Sequence, residues 1–151
     1  MKEEARKLLE ASATAIATHD FEAYAAIVRL PFLLIFDERS IVRRTRAELR
    51  RGFDSLCGAL DRHGFLWVDR QIDSLQPAGK ALAAVTFTSR IRCLDGRRLA
   101  PFASMFILGH DGERWRAVAS VNPFGVLDWT PAEEWDLTTE GARALATSEK
   151  T

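Results

Sequence analysis

Residues 82–115, LAAVTFTSRIRCLDGRRLAPFASMFILGHDGERW, carry the pattern from which the fold follows. Two extended runs, Leu82 to Cys93 and Phe102 to Gly109, each lead into an Asp-Gly pair, Asp95-Gly96 and Asp111-Gly112. A tight hairpin turn needs φ > 0 at its centre, which Asp-Gly adopts with little strain. The runs are therefore read as antiparallel strands joined by turns. Working outward, Phe65 to Leu75 before Pro77-Ala78-Gly79 reads as the preceding strand, and Trp115 to Asn122 closes the series.

Upstream the period changes to that of helices. Ala5, Leu8, Leu9, Ser12 and Ile16 form one stripe over residues 3–18. Asp20 is placed to cap a second helix, whose Phe21, Tyr24, Ala25 and Val28 share a face and which Pro31 should end. Phe32 to Phe36 is a short apolar run, Asp37 to Ser40 a turn, and Ile41 to Arg44 a return strand. Thr45 and Glu48 have capping-box spacing, ahead of a third helix that carries Leu49, Phe53, Leu56 and Leu60 on one face and stops at Gly64. Helices first and a meander afterwards make an α+β domain. It is expected over residues 1–128, followed by a C-terminal extension, 129–151. There Thr130-Pro131-Ala132-Glu133 predicts a short helix that could lay Trp129 or Trp135 across the sheet edge, with a frayed tail.

Composition narrows the function by exclusion. A chain of 151 residues buries roughly 70% of its unfolded surface and needs no disulfide or metal to hold a core. With 21 basic and 21 acidic residues, it lacks the basic excess of a general nucleic-acid binder. The local exception, Arg39 to Arg51, is either a solvated helix face or an anion or RNA contact. Cys57 and Cys93 belong to no metal-ligand spacing and read as small buried hydrophobes. The three histidines have no partner at ligand spacing, and Asp69 and Asp73 lie about 13 Å apart along a strand, too far for a carboxylate pair. No nucleophile elbow, phosphate loop or dinucleotide fingerprint occurs. No metal or cofactor is expected. The first residues lack a signal-peptide core and no run would span a membrane, so a cytoplasmic protein is expected.

The element order, the His19-Asp20-Phe21-Glu22 junction and the stretch Asp111-Gly112-Glu113-Arg114-Trp115-Arg116, similar to a DGxWR turn before a last strand, carry a resemblance over residues 4–124. The chain resembles the nuclear-transport-factor-2-like superfamily, and within it the bacterial SnoaL-like branch. The resemblance implies three N-terminal helices over a curved antiparallel sheet, a conical half-barrel enclosing a pocket. Its members include ketosteroid isomerase, scytalone dehydratase, polyketide cyclases and many non-enzymatic dimers, so fold does not stand in for function. Carried over residue by residue, the isomerase tyrosine falls on Ser12, the base on Phe36, and the late-strand donor on Ala103 or, after a two-residue slip, Met105. Asp37 lies one residue from the base position, which turns its side chain to the other face. The isomerase mechanism is not expected.

Four residues are candidate ligand contacts: Tyr24, Arg70, Arg90 and Asn122. Arg70 shares a strand face with Leu66, Val68 and Ile72, opposite the polar Trp67, Asp69, Gln71 and Asp73. A charge on an apolar face must snorkel out, find an acid, or present its guanidinium fork to an anionic ligand. On residues 82–93, periodicity turns Val85, Phe87 and Ile91 inward, whereas the resemblance implies the reverse, with Thr88 and Arg90 in the cavity beside Arg70. The resemblance is followed here. Both patterns can hold if the outer sheet face is covered by a second subunit. On the last strand Val118, Ser120 and Asn122 are expected inward, and Tyr24 looks down from the second helix. The expected function is binding of a small molecule, anionic in class, with lyase or isomerase action on a carbonyl or carboxylate compound as a possible extension. The alternative is a non-catalytic dimeric interaction module whose cavity Phe32, Phe36, Phe53 and Met105 fill. A cavity of roughly 300 Å³ or more would favour binding. A homodimer through the sheet face is expected because Phe102 to Leu108 is apolar on both sides.

Overall fold

The computed structural model describes residues 1–37, 39–99 and 101–122. Its elements run α1 (Lys2–Thr18), α2 (Phe21–Ala26), β1 (Val28–Ile35), β2 (Ser40–Arg43), α3 (Arg46–Arg62), β3 (Phe65–Ala78), β4 (Leu82–Cys93), β5 (Phe102–His110) and β6 (Trp115–Val121). The extension 129–151 lies outside the described residues.

Local chemistry starts and stops the helices as their sequence suggests. Asp20 accepts from the Ala23 N–H at 3.1 Å, and Thr45 Oγ1 accepts from the Glu48 N–H at 3.1 Å. The Glu48 carboxylate reaches back to the Arg44 N–H at 2.6 Å, one residue earlier than a strict capping box would have it. Helix α1 ends on His19 in the left-handed region, φ 55°, where its Nε2 lies 3.1 Å from Asp61 Oδ1 near the end of α3. Both Asp-Gly turns are present, with Gly96 at φ 88° and Gly112 at φ 99°.

The six strands form one unclosed sheet in the order β2-β1-β6-β5-β4-β3. The meander β3 to β6 is antiparallel, but β1 pairs with β6 in parallel, so the sheet is not antiparallel throughout. Register shifts interrupt the β1–β6, β3–β4 and β5–β6 ladders. Such bulges bend strands and let the sheet wrap its helices.

Several boundaries differ from expectation. Helix α2 closes at Ala26, not at Pro31, and β1 begins at Val28. Pro31 sits within the shifted stretch between Val28 and Leu33, where a strand tolerates a missing N–H. β3 runs on through Pro77, which its edge position allows. Leu66 was expected inward with Val68, yet the shift between Phe65 and Trp67 leaves it 48% exposed.

The core lies between the helices and the inner sheet face. Phe53 of α3, Phe87 and Val85 of β4 and Leu108 of β5 are almost wholly shut from water. Each such side chain contributes roughly 1.5–3 kcal/mol by leaving water. The inner face of β4 is Val85, Phe87, Ser89 and Ile91, the face that periodicity selects.

Candidate functional site

Arg70 is the centre of the site. It lies on β3 opposite Ser89 of β4, and its side chain crosses under α1. Nη1 donates to Ser12 Oγ at 2.7 Å. The guanidinium carbon stands 5.4 Å from the Phe87 ring centre and 5.9 Å from that of Phe106. Nε is shut off from solvent without a hydrogen-bond partner. Among the described residues no carboxylate pairs with Arg70. Burial pushes its pKa down to about 10, with Tyr24 pulling weakly the other way. The residue as a whole is half-buried, because part of the side chain also faces a surface groove between α1 and β3.

The cavity that Arg70 borders has a volume of about 50 Å³. Since about 10–15 Å³ suffices for one water, it has room for a few waters or one compact anionic group. It falls well short of the 300 Å³ that a drug-sized ligand needs. Its polar lining is Ser12, Tyr24, Arg70, Ser89, Ser104, Ser120 and Asn122.

Tyr24 of α2 reaches this cavity from above. Its ring packs on Phe53 at 4.8 Å, and burial pushes the phenol pKa up to about 12 against the charges of Arg70 and Arg43. Asn122, just beyond β6, is buried and fixed from three sides. Its N–H donates to the Ile35 carbonyl at 2.8 Å, its Oδ1 accepts from Ser104 at 3.1 Å, and its Nδ2 donates to Ser120 at 3.2 Å.

Three of the four expected contacts, Tyr24, Arg70 and Asn122, therefore line one cavity. Arg90 does not. It is exposed on the outer sheet face opposite Asp69, and the cavity position on that strand is Ser89. The register taken from the resemblance was one residue out, which in a strand reverses the face. Burial of Val85, Phe87 and Ile91 decides the matter. The same slip affects β5: Ala103 is exposed, Met105 half-buried on the outer side, and the inward residue is Ser104. On β6 the bulge puts Ala117 rather than Val118 into the lining. Ser12, by contrast, does occupy the cavity.

Ser89 and Ser104 were missed as site residues, although a signal existed. Each is a hydroxyl at a position where period-two alternation calls for an apolar side chain.

Two arginines of the basic stretch near α3 have their partners on α2 and α3. Arg46 pairs with Glu22, Arg50 lies 3.5 Å from Asp54, and both guanidinium groups sit over the Phe21 ring at 5.0 and 4.9 Å. Cys57 is free and buried, and burial pushes its thiol up to about 12, which makes it inert. Among the described residues no group of three ligating side chains could hold a metal, and no helix is long and apolar enough to cross a membrane.

A curved, unclosed six-stranded sheet with helices packed on one face defines an α+β class. No protein-family model and no curated protein sequence matches the chain. Solved structures do. A nuclear-transport-factor-2-like protein of unknown function from Shewanella oneidensis superposes with a TM-score of 0.64 at 14% identity, covering 81% of this chain and 98% of that one. A cystatin-like domain of unknown function from Nostoc punctiforme gives 0.65 at 15% identity, covering 99% and 96%. A nuclear-transport-factor-2-like protein from Novosphingobium aromaticivorans gives 0.62 at 20% identity, covering 95% and 87%. This chain has the nuclear-transport-factor-2-like, cystatin-like fold.

Proposed function

We propose that this protein binds a small anion or a carboxylate group through Arg70, with Tyr24 and Asn122 among the polar groups around it. One observation carries the reading: a guanidinium drawn among aromatic rings and hydroxyls, with Nε unpartnered and no acid in reach among the described residues. A charge taken out of water without a partner is costly. An oxyanion supplies that partner, and a guanidinium can grip it with two parallel hydrogen bonds. Placement in the SnoaL-like branch is part of this proposal and rests on the Asp111–Arg116 stretch.

Lyase or isomerase chemistry on a carbonyl or carboxylate compound would use Arg70 to stabilise developing negative charge. Among the described residues the cavity lining contains no carboxylate or imidazole, and the Tyr24 phenol stays protonated at neutral pH. Such chemistry would need its base from elsewhere. Binding is the stronger reading.

A second reading, the dimeric interaction module, is favoured by the small cavity volume of about 50 Å³. Of the residues expected to fill it, Phe32 lines the cavity, Phe36 and Phe53 lie in the surrounding core, and Met105 is outside. On the outer face Leu33, Ile35, Met105, Ile107 and Val121 are half-buried across adjacent β1, β6 and β5, an apolar strip suited to a second copy.

Thermal denaturation in formate, acetate and phosphate, for the native chain and for Arg70→Met, tests the first reading. Stabilisation by an anion that vanishes in the variant is expected; equal behaviour of the two proteins defeats it. Light scattering at micromolar concentration tests the second, and a monomer removes the homodimer.

A further inference from the structure

The 50 Å³ cavity leaves most of any organic anion larger than acetate without a place, yet Arg70 borders a second and larger space. Between α1 and β3 runs a groove of about 850 Å³. It exists because β3 is the last strand of the sheet, so among the described residues no further strand lies beyond it under the helix. Ser12 and Ala13, neighbours on α1, divide the two: Ser12 lines the cavity and Ala13 the groove. Arg70 passes between them and lines both.

The floor of the groove is apolar. Leu9, Ala13 and Val68 are buried, and Trp67 is half-buried. Most charges at the rim have partners. Arg6 is held by Glu3 and Glu10, while Asp69 accepts from Trp67 Nε1 at 3.0 Å and pairs with Arg92 at 3.2 Å. Arg70 stands where the apolar floor meets the polar cavity, whereas Lys2, the other cation of the lining without an ion pair among the described residues, is exposed.

We propose that the α1–β3 groove and the inner cavity form one bipartite site for amphipathic monocarboxylates. Arg70 takes the carboxylate, and an apolar chain or ring lies along Leu9, Ala13, Val68 and Trp67. The ligand volume that the cavity lacks is supplied by the groove, whose size suits a ligand of ordinary dimensions. This inference rests on the reading of Arg70 as an anion contact and adds where the rest of the ligand goes.

The test is calorimetric titration of the full chain with acetate, butyrate, octanoate and 3-phenylpropionate, with octylamine as the control of opposite charge. Three proteins are compared: native, Arg70→Met, and Thr14→Trp, the last placing bulk at an exposed position on the groove wall. In the native chain affinity should rise roughly fourfold per added methylene until the groove is full, and octylamine should not bind. Octanoate against phenylpropionate separates an aliphatic from an aromatic tail preference. Arg70→Met should lose every carboxylate. Thr14→Trp should bring octanoate down to the level of acetate and leave acetate unchanged.

Octanoate no tighter than acetate, with both lost in Arg70→Met, overturns the bipartite site and leaves the anion reading standing. Octanoate binding that survives in Arg70→Met also overturns it, since the groove would then act alone. No carboxylate bound by the native chain defeats the anion reading itself.

Discussion

The two faces of the β3–β4 ladder treat arginine in opposite ways. Outside, Arg92 has the Asp69 carboxylate at 3.2 Å, although its Nε, like that of Arg70, is shut from water without a hydrogen bond. Thr88 donates to Asp73 at 2.6 Å, so the outer charges have partners of opposite sign or matching hydrogen-bonding character. Inside, Arg70 meets one serine and two aromatic rings. Both faces belong to the same twelve-residue β4 and its partner, so chain composition does not explain the contrast. An acid beside Arg70 would have satisfied it permanently. Among the described residues none lines the cavity, so the guanidinium there is left to a hydroxyl and two rings, whereas the outer charges have charged or hydrogen-bonding partners.

That contrast can be broken or sharpened by experiment. The largest effect should come from Phe87→Ala, which removes a buried ring from between Arg70 and the core. Loss of about 3–5 kcal/mol is expected, against less than about 1 kcal/mol for Thr88→Ala one residue along, both read from denaturant unfolding. Equal losses would mean that the faces are not distinct.

Next in size is the titration of Tyr24, the single tyrosine of the chain. Its pKa is pushed up to about 12 in the folded protein, above its ordinary value of 10.0. As pH rises the unfolded chain ionises first. This contribution to stability is complete below pH 10 and is lost as pH climbs from about 10 to about 12, about 2–3 kcal/mol in all. Phenolate absorbance should therefore appear about two pH units later in native protein than in denaturant. A phenolate band near pH 10 in native protein would mean that water already fills the cavity.

Smaller effects separate the two arginines directly. Arg70→Met should leave unfolding free energy unchanged or raise it by about 1–2 kcal/mol, since a desolvated charge gives way to a side chain of similar bulk. Arg92→Met should change it by no more than about 1 kcal/mol, as exposed pairs do. Only the Arg70 variant should lose its response to anions. A marked loss of stability in Arg70→Met would show the guanidinium to be structural.

Much of this could be read from the chain because the signals were local. The Asp-Gly turns, the Asp20 and Thr45 caps and the stripe on α1 each depend on residues within one turn or hairpin. Arg70 was legible for the same reason, as a charge in an apolar alternation. The errors were of two kinds. Arg90 and Ala103 were placed by a register borrowed across low similarity, and one residue of slip reverses a strand. Leu66, Val118 and the parallel β1–β6 pairing depend on bulges and on contacts between distant segments, which period and propensity do not encode. Pro31 hid the start of β1, because proline in a central strand argues against a strand unless a bulge admits it.

The parallel pairing of β1 with β6 also bears on how the chain is made. Val28 finds its place beside Ala117, and Leu33 beside Ala119, so nearly the whole domain must leave the ribosome before β1 gains its second neighbour. Until then the β1–β2 hairpin carries an open edge of apolar residues, available to any other unfinished strand. Completion of the open sheet is thus a late step that joins β1 to β6, and pairing at such sequence distance is slow. A nascent chain halted before Trp115 would hold its helices and most of its meander, yet still be the form most prone to aggregate.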